Sequence, residues 1–365
     1  MAIMQESTTT IKSFEGKISK ELPVFYNPVM KTNRDTSILL LNALNKKQMQ
    51  IADPLAGSGI RSIRFVKELN KGIIKTISVN DYDEFSLKNI KENFKLNKIN
   101  VKESKQSEIE VQFHNEDANL FLLNSRGFDY IDVDPFGSPN PFLDSAVKRI
   151  ARDGIIAVTA TDTAPLAGTY PSACKRKYWA IPLRNEVKHE VGIRILIRKV
   201  QLIGAQFDKA LIPICSYSKD HYYRVFFQAQ KGKDDCDTIL KQHHRVKYCK
   251  TCLTLRIEET CKHKKISAGP LWTGQLNSHN LLNIMQTNTS DVETQKLMHI
   301  LAEESQHNIL GLIDLHLISE QTKRQPLKTL DAIQHLQKRG FIATRTHFSP
   351  HAIKTNAKIK DLVKY

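Results

Sequence analysis

Three groups of residues in this chain have the types and spacing of chemistry. The first is the run Asp132-Val133-Asp134-Pro135-Phe136-Gly137-Ser138-Pro139. An exocyclic amine of a nucleobase is a poor nucleophile, because its lone pair is delocalised into the ring. A carboxylate that accepts its N–H bonds raises the electron density and holds the amine in line with an electrophilic methyl group. Asp134 is the candidate carboxylate. Pro135 stiffens the turn, and Phe136 offers a face on which a base can stack.

The second group is a set of loops suited to a nucleoside-like cofactor. In Ile51-Ala52-Asp53-Pro54-Leu55-Ala56-Gly57-Ser58-Gly59-Ile60-Arg61 a strand gives way to a helix. Gly57 and Gly59 let the backbone turn sharply, and the free N–H groups of the helix start suit a carboxylate. Position 62 is Ser, so the third glycine of the dinucleotide fingerprint is missing. Asp53 closes the strand before this loop. Asp81, after the second strand, can accept both ribose hydroxyls of an adenosine and is preferred to Asp83. Asp117 and Ala118, after the third strand, can read an adenine edge, and Asp117 is equally placed to cap the next helix. Arg61 sits at a helix N-terminus, where a cation is unfavourable, which points to a ligand.

The third group is Cys249-x2-Cys252-x8-Cys261-x-His263. Three thiolates and an imidazole make a tetrahedral zinc set, and the expected zinc is structural. His243 and His244 compete with His263 for the fourth place.

The elements that must position these groups are legible. Strand-like runs at Gln50–Asp53, Thr76–Asp81, Val111–His114, Tyr130–Asp134 and Ile155–Thr161 alternate with helical stretches at Ile60–Leu69, Glu84–Leu96, Asn119–Leu123 and Phe142–Ala151. A longer helix at Leu183–Leu202 precedes two β-rich runs, Lys209–Ser216 and Tyr222–Ala229. Five alternating strands plus a closing pair predict an α/β fold with the layout of a class I (Rossmann-like) methyltransferase sheet, a layout that other doubly wound folds share. Ligands of such sheets bind at the strands' carboxyl ends, where the first two groups fall. After Gly274 come helical segments Val292–Glu304, Ile309–Glu320 and Leu327–Lys338 and a short β run, Phe341–Thr346. These predict a smaller C-terminal α+β module, winged-helix-like.

The chain carries 54 Lys+Arg against 38 Asp+Glu, a net charge of +16 and a pI near 9.4. That balance favours a polyanionic partner, nucleic acid first. The basic segment Lys175-Arg176-Lys177-Tyr178-Trp179 is a candidate RNA contact and equally an ordinary solvated loop. There is no run of about 18 apolar residues to span a membrane. The N-terminus lacks a signal core or a transit pattern, so a cytoplasmic protein is expected. Six cysteines are too few for a disulfide scaffold, and three within one cluster point to metal.

The Asp-Pro-Phe-Gly string resembles the Asp/Asn-Pro-Pro-aromatic signature of amino-methyltransferases. A longer series resembles the tRNA (guanine(26)-N2)-dimethyltransferase family. It comprises Asn27-Pro28-Val29-Met30 with Asn33-Arg34-Asp35, the loop from Asp53 to Arg61, the turn from Asp134 to Pro139, and Thr161-Asp162-Thr163-Ala164-Pro165-Leu166. It continues through His189-Glu190-Val191-Gly192-Ile193-Arg194 and Gly269-Pro270-Leu271-Trp272 to Arg345-Thr346-His347-Phe348-Ser349-Pro350 and Ile353-Lys354-Thr355. The match covers nearly the whole chain, and its compact length is more like the archaeal branch.

The resemblance implies transfer of one or two methyl groups from S-adenosylmethionine to the N2 amine of a tRNA guanine. It also implies that Arg34, Arg61, Asp81, Asp117 and Ala118 contact the cofactor, with Asp134 facing the guanine amine. The expected organisation is an N-terminal extension (1–48), a methyltransferase domain (49–231), a Cys/His knuckle (232–274) and a tRNA-binding domain (275–365), in a monomer. The alternatives are an N2-methyltransferase for another RNA guanine, a non-catalytic RNA-binding protein on this fold, and a nicotinamide oxidoreductase.

Overall fold

The computed structural model describes residues 2–13, 24, 26–99, 109–258, 261–287 and 291–363. Residues 14–23, inside the expected N-terminal extension, lie outside these. The hairpin β1 (Ala2–Glu6) and β2 (Thr9–Ser13) comes first, and the next elements among the described residues are a 3-10 turn at Pro28–Met30 and helix α1 (Lys31–Leu44). Then come β3 (Met49–Asp53), α2 (Ile60–Glu68), β4 (Ile74–Asn80), α3 (Glu84–Leu96), β5 (Glu110–His114), α4 (Ala118–Asn124), β6 (Phe128–Val133), α5 (Asn140–Arg149) and β7 (Ile150–Ala160). Two short helices, α6 (Thr163–Leu166) and α7 (Pro171–Tyr178), lead to α8 (Lys188–Ala205) and the hairpin β8 (Lys209–Lys219) and β9 (Tyr222–Lys231).

These strands form one seven-stranded sheet in the order β5-β4-β3-β6-β7-β9-β8. β3 to β7 run parallel, and β9 and β8 join antiparallel. This is the expected α/β methyltransferase sheet. The chain order reverses between β3 and β6, so the crevice for a ligand opens beyond their carboxyl ends. Local chemistry explains the helices that flank it. In α3 the Asp83 side chain caps the helix by accepting from Ser86 N, and Leu87, Ile90 and Phe94, at helical spacing, bury one face against the sheet. The strand β6 is buried on both faces, as a central parallel strand must be.

Two cores lie on the two sides of the sheet. One joins β6, β7 and β9 to α4, α5 and α8. The other joins β3 and β4 to α1, α2 and α3. The long helix begins at Lys188 rather than Leu183, because residues 183–187 run as an irregular segment that buries Leu183 and Val187 without helical pairing.

Beyond the sheet, α9 (Lys233–Leu240) leads to the three-stranded knuckle of β10 (His243–Cys249), β11 (Thr254–Arg256) and β12 (Ile266–Trp272), ordered β11-β10-β12. Its apolar residues Val246, Leu255, Ala268 and Leu271 enter the α8 core. Helices α10 (His279–Met285) and α11 (Val292–Glu304) close the α1 side of the sheet through Leu282, Met285, Met298 and Leu301. Then follow β13 (Ile313–Asp314), α12 (Leu315–Thr322), α13 (Thr329–Lys338), β14 (Ala343–Arg345), β15 (Ala352–Thr355) and α14 (Ile359–Val363). The expected helix over 309–320 is therefore shorter. Ile313–Asp314 pair with β15 as strand, and the Asp314 side chain then caps α12. With β15 between β13 and β14, the order helix, strand, helix, helix, strand, strand is that of a winged helix; α12, α13 and the three strands share a small core with Leu253 of the knuckle, while α11 packs on the α1 side of the sheet.

Candidate active site

A cavity of about 630 Å³ opens at the switch point between β3 and β6. Arg34, Asp53, Gly57, Arg61, Asp81, Asp134 and Phe136 line it, so most of the acids and glycines singled out in the sequence converge on one wall. Gly59, Asp117 and Ala118 do not line it. Gly59 takes φ +75° at the start of α2, and a Cβ there would lie 3.0 Å from Ile90, so this glycine serves the turn and its packing. Asp117 accepts hydrogen bonds from Asn119 N and Leu120 N, the helix-capping role, and Ala118 is buried in the first turn of α4.

The acids differ sharply in environment. Asp81 accepts from Gly57 N at 2.8 Å and from Asp83 N at 3.0 Å, so it braces the glycine loop as well as facing the cavity. Burial nonetheless leaves its carboxyl above the usual value. Asp53 is fully enclosed and bonded by Ser62 Oγ at 2.7 Å. Burial pushes its carboxyl up to about 7 against the pull of Arg61, and the charges of Asp132 and Asp134 add to the rise.

Behind Asp134 lies a buried ionic chain. The Arg61 guanidinium donates to one carboxylate oxygen of Asp134 and to Asn33 Oδ1 at 2.9 Å, and stands 3.2 Å from Asp132. Arg224 donates to both oxygens of Asp132, at 2.9 and 2.7 Å, and to Thr159 Oγ1. Arg224 and Asp132 are wholly buried. Burial opposes the Asp132 charge, yet Arg224 and Arg61 hold its carboxyl below the usual range. Removing one partner of such a buried pair costs about 3–5 kcal/mol, because the other charge is left uncompensated. The reading of the sequence passed over Arg224. Its signal was a lone cation in the apolar strand Tyr222-Tyr223-Arg224-Val225-Phe226-Phe227.

Arg34 reaches the cavity wall, but its guanidinium pairs with Glu6 of β1 and donates to Asn27 O at 3.0 Å. Tyr26, Met30, Ser58, Asp83, Phe85, Phe142 and Thr161 are also among the lining residues. Tyr26 and Met30 flank or end the Asn-Pro-Val-Met run, yet no chemical pattern in the sequence marks them.

The cavity fits S-adenosylmethionine. Asp81 and Asp83 offer acceptors for a ribose diol, Phe85 and Phe136 offer apolar surface, and the buried Ser58 Oγ in the wall has no hydrogen-bond partner among the described residues. At the knuckle, the ligand atoms of Cys249, Cys252, Cys261 and His263 all lie within 4.8 Å of one another, and His263 Nδ1 is 3.3 Å from Cys252 Sγ. A tetrahedron with arms of about 2.3 Å has edges near 3.8 Å, so the set fits zinc. His243 is committed elsewhere, with Nε2 2.8 Å from Gln201 Oε1. Burial works against a thiolate at Cys249, yet the Cys252 N–H and the neighbouring thiols bring it down to about 7. No described helix is long and apolar enough to cross a membrane.

Comparison with known proteins agrees with this geometry. The chain is 38% identical, over its whole length and 95% of the relative, to a tRNA (guanine(26)-N(2)/guanine(27)-N(2))-dimethyltransferase of Aquifex aeolicus. It is also 38% identical, over 96% of the chain and 94% of the relative, to a tRNA (guanine(26)-N(2))-dimethyltransferase of Pyrococcus furiosus. The solved complex of Trm1 from Pyrococcus horikoshii with S-adenosyl-L-methionine superposes with a TM-score of 0.87 at 34% identity, covering 100% of this chain and 99% of that one. The model of the N2,N2-dimethylguanosine tRNA methyltransferase family matches residues 4–365, and the chain belongs to that family.

Proposed function

We propose that this chain is a tRNA methyltransferase that transfers one or two methyl groups from S-adenosylmethionine to the exocyclic N2 amine of guanine 26. The observation that carries this reading is the Asp134-Pro135-Phe136-Gly137 turn at the end of β6, opening into a cavity whose other walls are the glycine loop and Asp81. S-adenosylmethionine supplies the electrophilic methyl group.

The chain's own residues then have distinct tasks. Asp134 accepts hydrogen bonds from the guanine amine and fixes its direction. Arg61 already holds one Asp134 oxygen, so the carboxylate acts by orientation, and the amine proton leaves to water after transfer. Phe136, partly exposed at the mouth, stacks on the base, which must be extruded from the tRNA fold to enter. Gly57, Asp53, Asp81, Arg34 and Arg61 form the cofactor wall. Asp117 and Ala118 belong to the neighbouring strand end and would complete it through the adenine edge. We assign 275–365, with its winged helix, to tRNA binding, 49–231 to catalysis and 232–274 to a zinc knuckle that props the two together. The protein acts in tRNA processing as a cytoplasmic monomer.

The test is incubation of the protein with unmodified tRNA and labelled cofactor, followed by mapping of modified nucleosides. Label in N2-methyl- or N2,N2-dimethylguanosine at position 26 is expected. Label only at another base, or none, would sink the reading. Asp134→Ala should lose at least about 100-fold in turnover while still binding tRNA, as misplacement of a reacting group costs.

A further inference from the structure

A second cluster of cations lies outside the methyl-transfer cavity, around Trp179. This residue ends α7 in the left-handed region, at φ 56°, and its indole is 49% exposed. The Lys199 ammonium sits 3.1 Å from the ring centroid, although only 6% of Lys199 reaches solvent. Arg198, next on α8, approaches Trp179 O at 3.5 Å, and its Nε is buried with no hydrogen-bond partner. Two residues on, Ile181 pairs with Gly269 of β12, and a Cβ placed on Gly269 would lie 3.5 Å from the Arg245 Cα on β10. The knuckle strand that carries the exposed Arg245 thus runs beside this cluster, near enough for its charge to act on Arg198.

Among the described residues none of these three cations forms an ion pair with a carboxylate, unlike Arg61, Arg64, Arg194 and Arg224 in the same molecule. They act on one another instead. Burial, with Arg198 beside it, pushes the Lys199 ammonium down to about 8, and burial with Arg245 nearby lowers Arg198. Partly desolvated like charges cost stability, and a fold keeps them where an anion completes the set. A half-exposed indole beside them adds a stacking face, and Lys175 and Arg176 stand exposed on the last turn of α7.

We infer that Lys199, Arg198 and Arg245 form a phosphate-binding site beside a base-stacking platform at Trp179, which together dock a strand of tRNA outside the methyl-transfer cavity. This inference rests on the tRNA reading above. The charge of the occupant follows from three cations that have no carboxylate partner among the described residues, and its aromatic part follows from the indole. A nucleic-acid strand offers both within one nucleotide, whereas a free anion offers only the first.

The experiment measures binding of labelled unmodified tRNA to the full chain by anisotropy across a range of KCl concentrations, together with thermal melting. Lys199→Met and Arg245→Glu should each raise Kd about tenfold and reduce the log–log salt slope by about 1. Trp179→Ala should raise Kd about tenfold with the slope kept. Lys199→Met should melt no lower than the parent, because it removes repulsion. Parental Kd and slope in both charge variants would overturn the site. So would a lower melting temperature in Lys199→Met with normal binding by Arg245→Glu and Trp179→Ala, which marks a structural role. A parallel arm adds inorganic phosphate alone. A rise in melting temperature that is lost in the charge variants, with tRNA affinity unchanged in them, would identify a free-anion site and overturn tRNA docking. If the parent binds tRNA yet places no methyl on guanine, the functional reading fails while these Kd values and slopes still judge the site.

Discussion

Arg61 and Asp134 share a charge-assisted hydrogen bond at the β3–β6 crevice, so the carboxylate that lines the cavity already has one oxygen engaged. The same guanidinium stands 3.2 Å from Asp132, which Arg224 grips from behind. Asp134 is therefore the exposed end of a buried chain of alternating charges. Its geometry is set by side chains from α2, β6 and β9.

Two replacements of Arg61 should separate geometry from charge. Arg61→Lys keeps a cation near Asp132 but cannot span both carboxylates, so turnover should fall at least about 100-fold with little loss of stability. Arg61→Gln also leaves Asp132 short of a partner and should cost about 3–5 kcal/mol in denaturant unfolding. Parental turnover in Arg61→Lys would show that Asp134 needs no such support.

Asp53 should give the unfolding free energy a distinctive pH dependence. The native chain keeps the Asp53 proton up to about pH 7, while the unfolded chain releases it near the ordinary value of 3.8. The native state thus binds more protons between those values, and this contribution to stability falls as pH rises through that window. At neutral pH the loss is on the order of a few kcal/mol. Asp53→Asn, which keeps a polar partner for Ser62, should flatten that part of the curve. Urea unfolding at pH 4.5 and 7 checks it, and equal slopes for parent and variant would refute it.

The knuckle should contain one zinc ion per chain. Metal analysis of the purified protein tests this directly, and well under one equivalent would end the assignment. Because Val246, Leu255, Ala268 and Leu271 of the knuckle strands enter the α8 core, chelation should lower the melting temperature of the sheet rather than merely loosen a loop. Cys252→Ser should behave like the chelated protein. Removal of zinc should leave the chemical step intact, because methyl transfer needs no metal.

Gly59→Ala should destabilise the chain by about 1–2 kcal/mol. A side chain at φ +75° is strained, and its Cβ would press on Ile90. The effect should appear in the unfolding free energy. A loss of cofactor affinity without loss of stability would return Gly59 to the role of ligand contact.

The sequence by itself determined the sheet. Alternating β-rich and helical runs sufficed because each element's hydrophobic period is local, and α3 and α11 fall on the residues expected, Glu84–Leu96 and Val292–Glu304. It also determined which strand ends line the cavity, since Asp53 ends a strand, Gly57, Asp81 and Asp134 follow one, and parallel strands must point their ends the same way. The donor set of the knuckle was legible for a similar reason, as Cys-x2-Cys brings two thiols together within one turn.

What only the tertiary structure decided were pairings across long stretches of chain. Nothing local joins Arg224 to Asp132, Arg34 to Glu6 of the first hairpin, or Trp179 to Lys199. A charge's partner depends on which elements the core brings together, and that packing is a property of the whole chain. The same packing commits His243 to Gln201 and leaves His263 for the thiols. It also has the Asp117 side chain cap a helix while Asp134, of the same residue type at an equivalent strand end, lines the cavity.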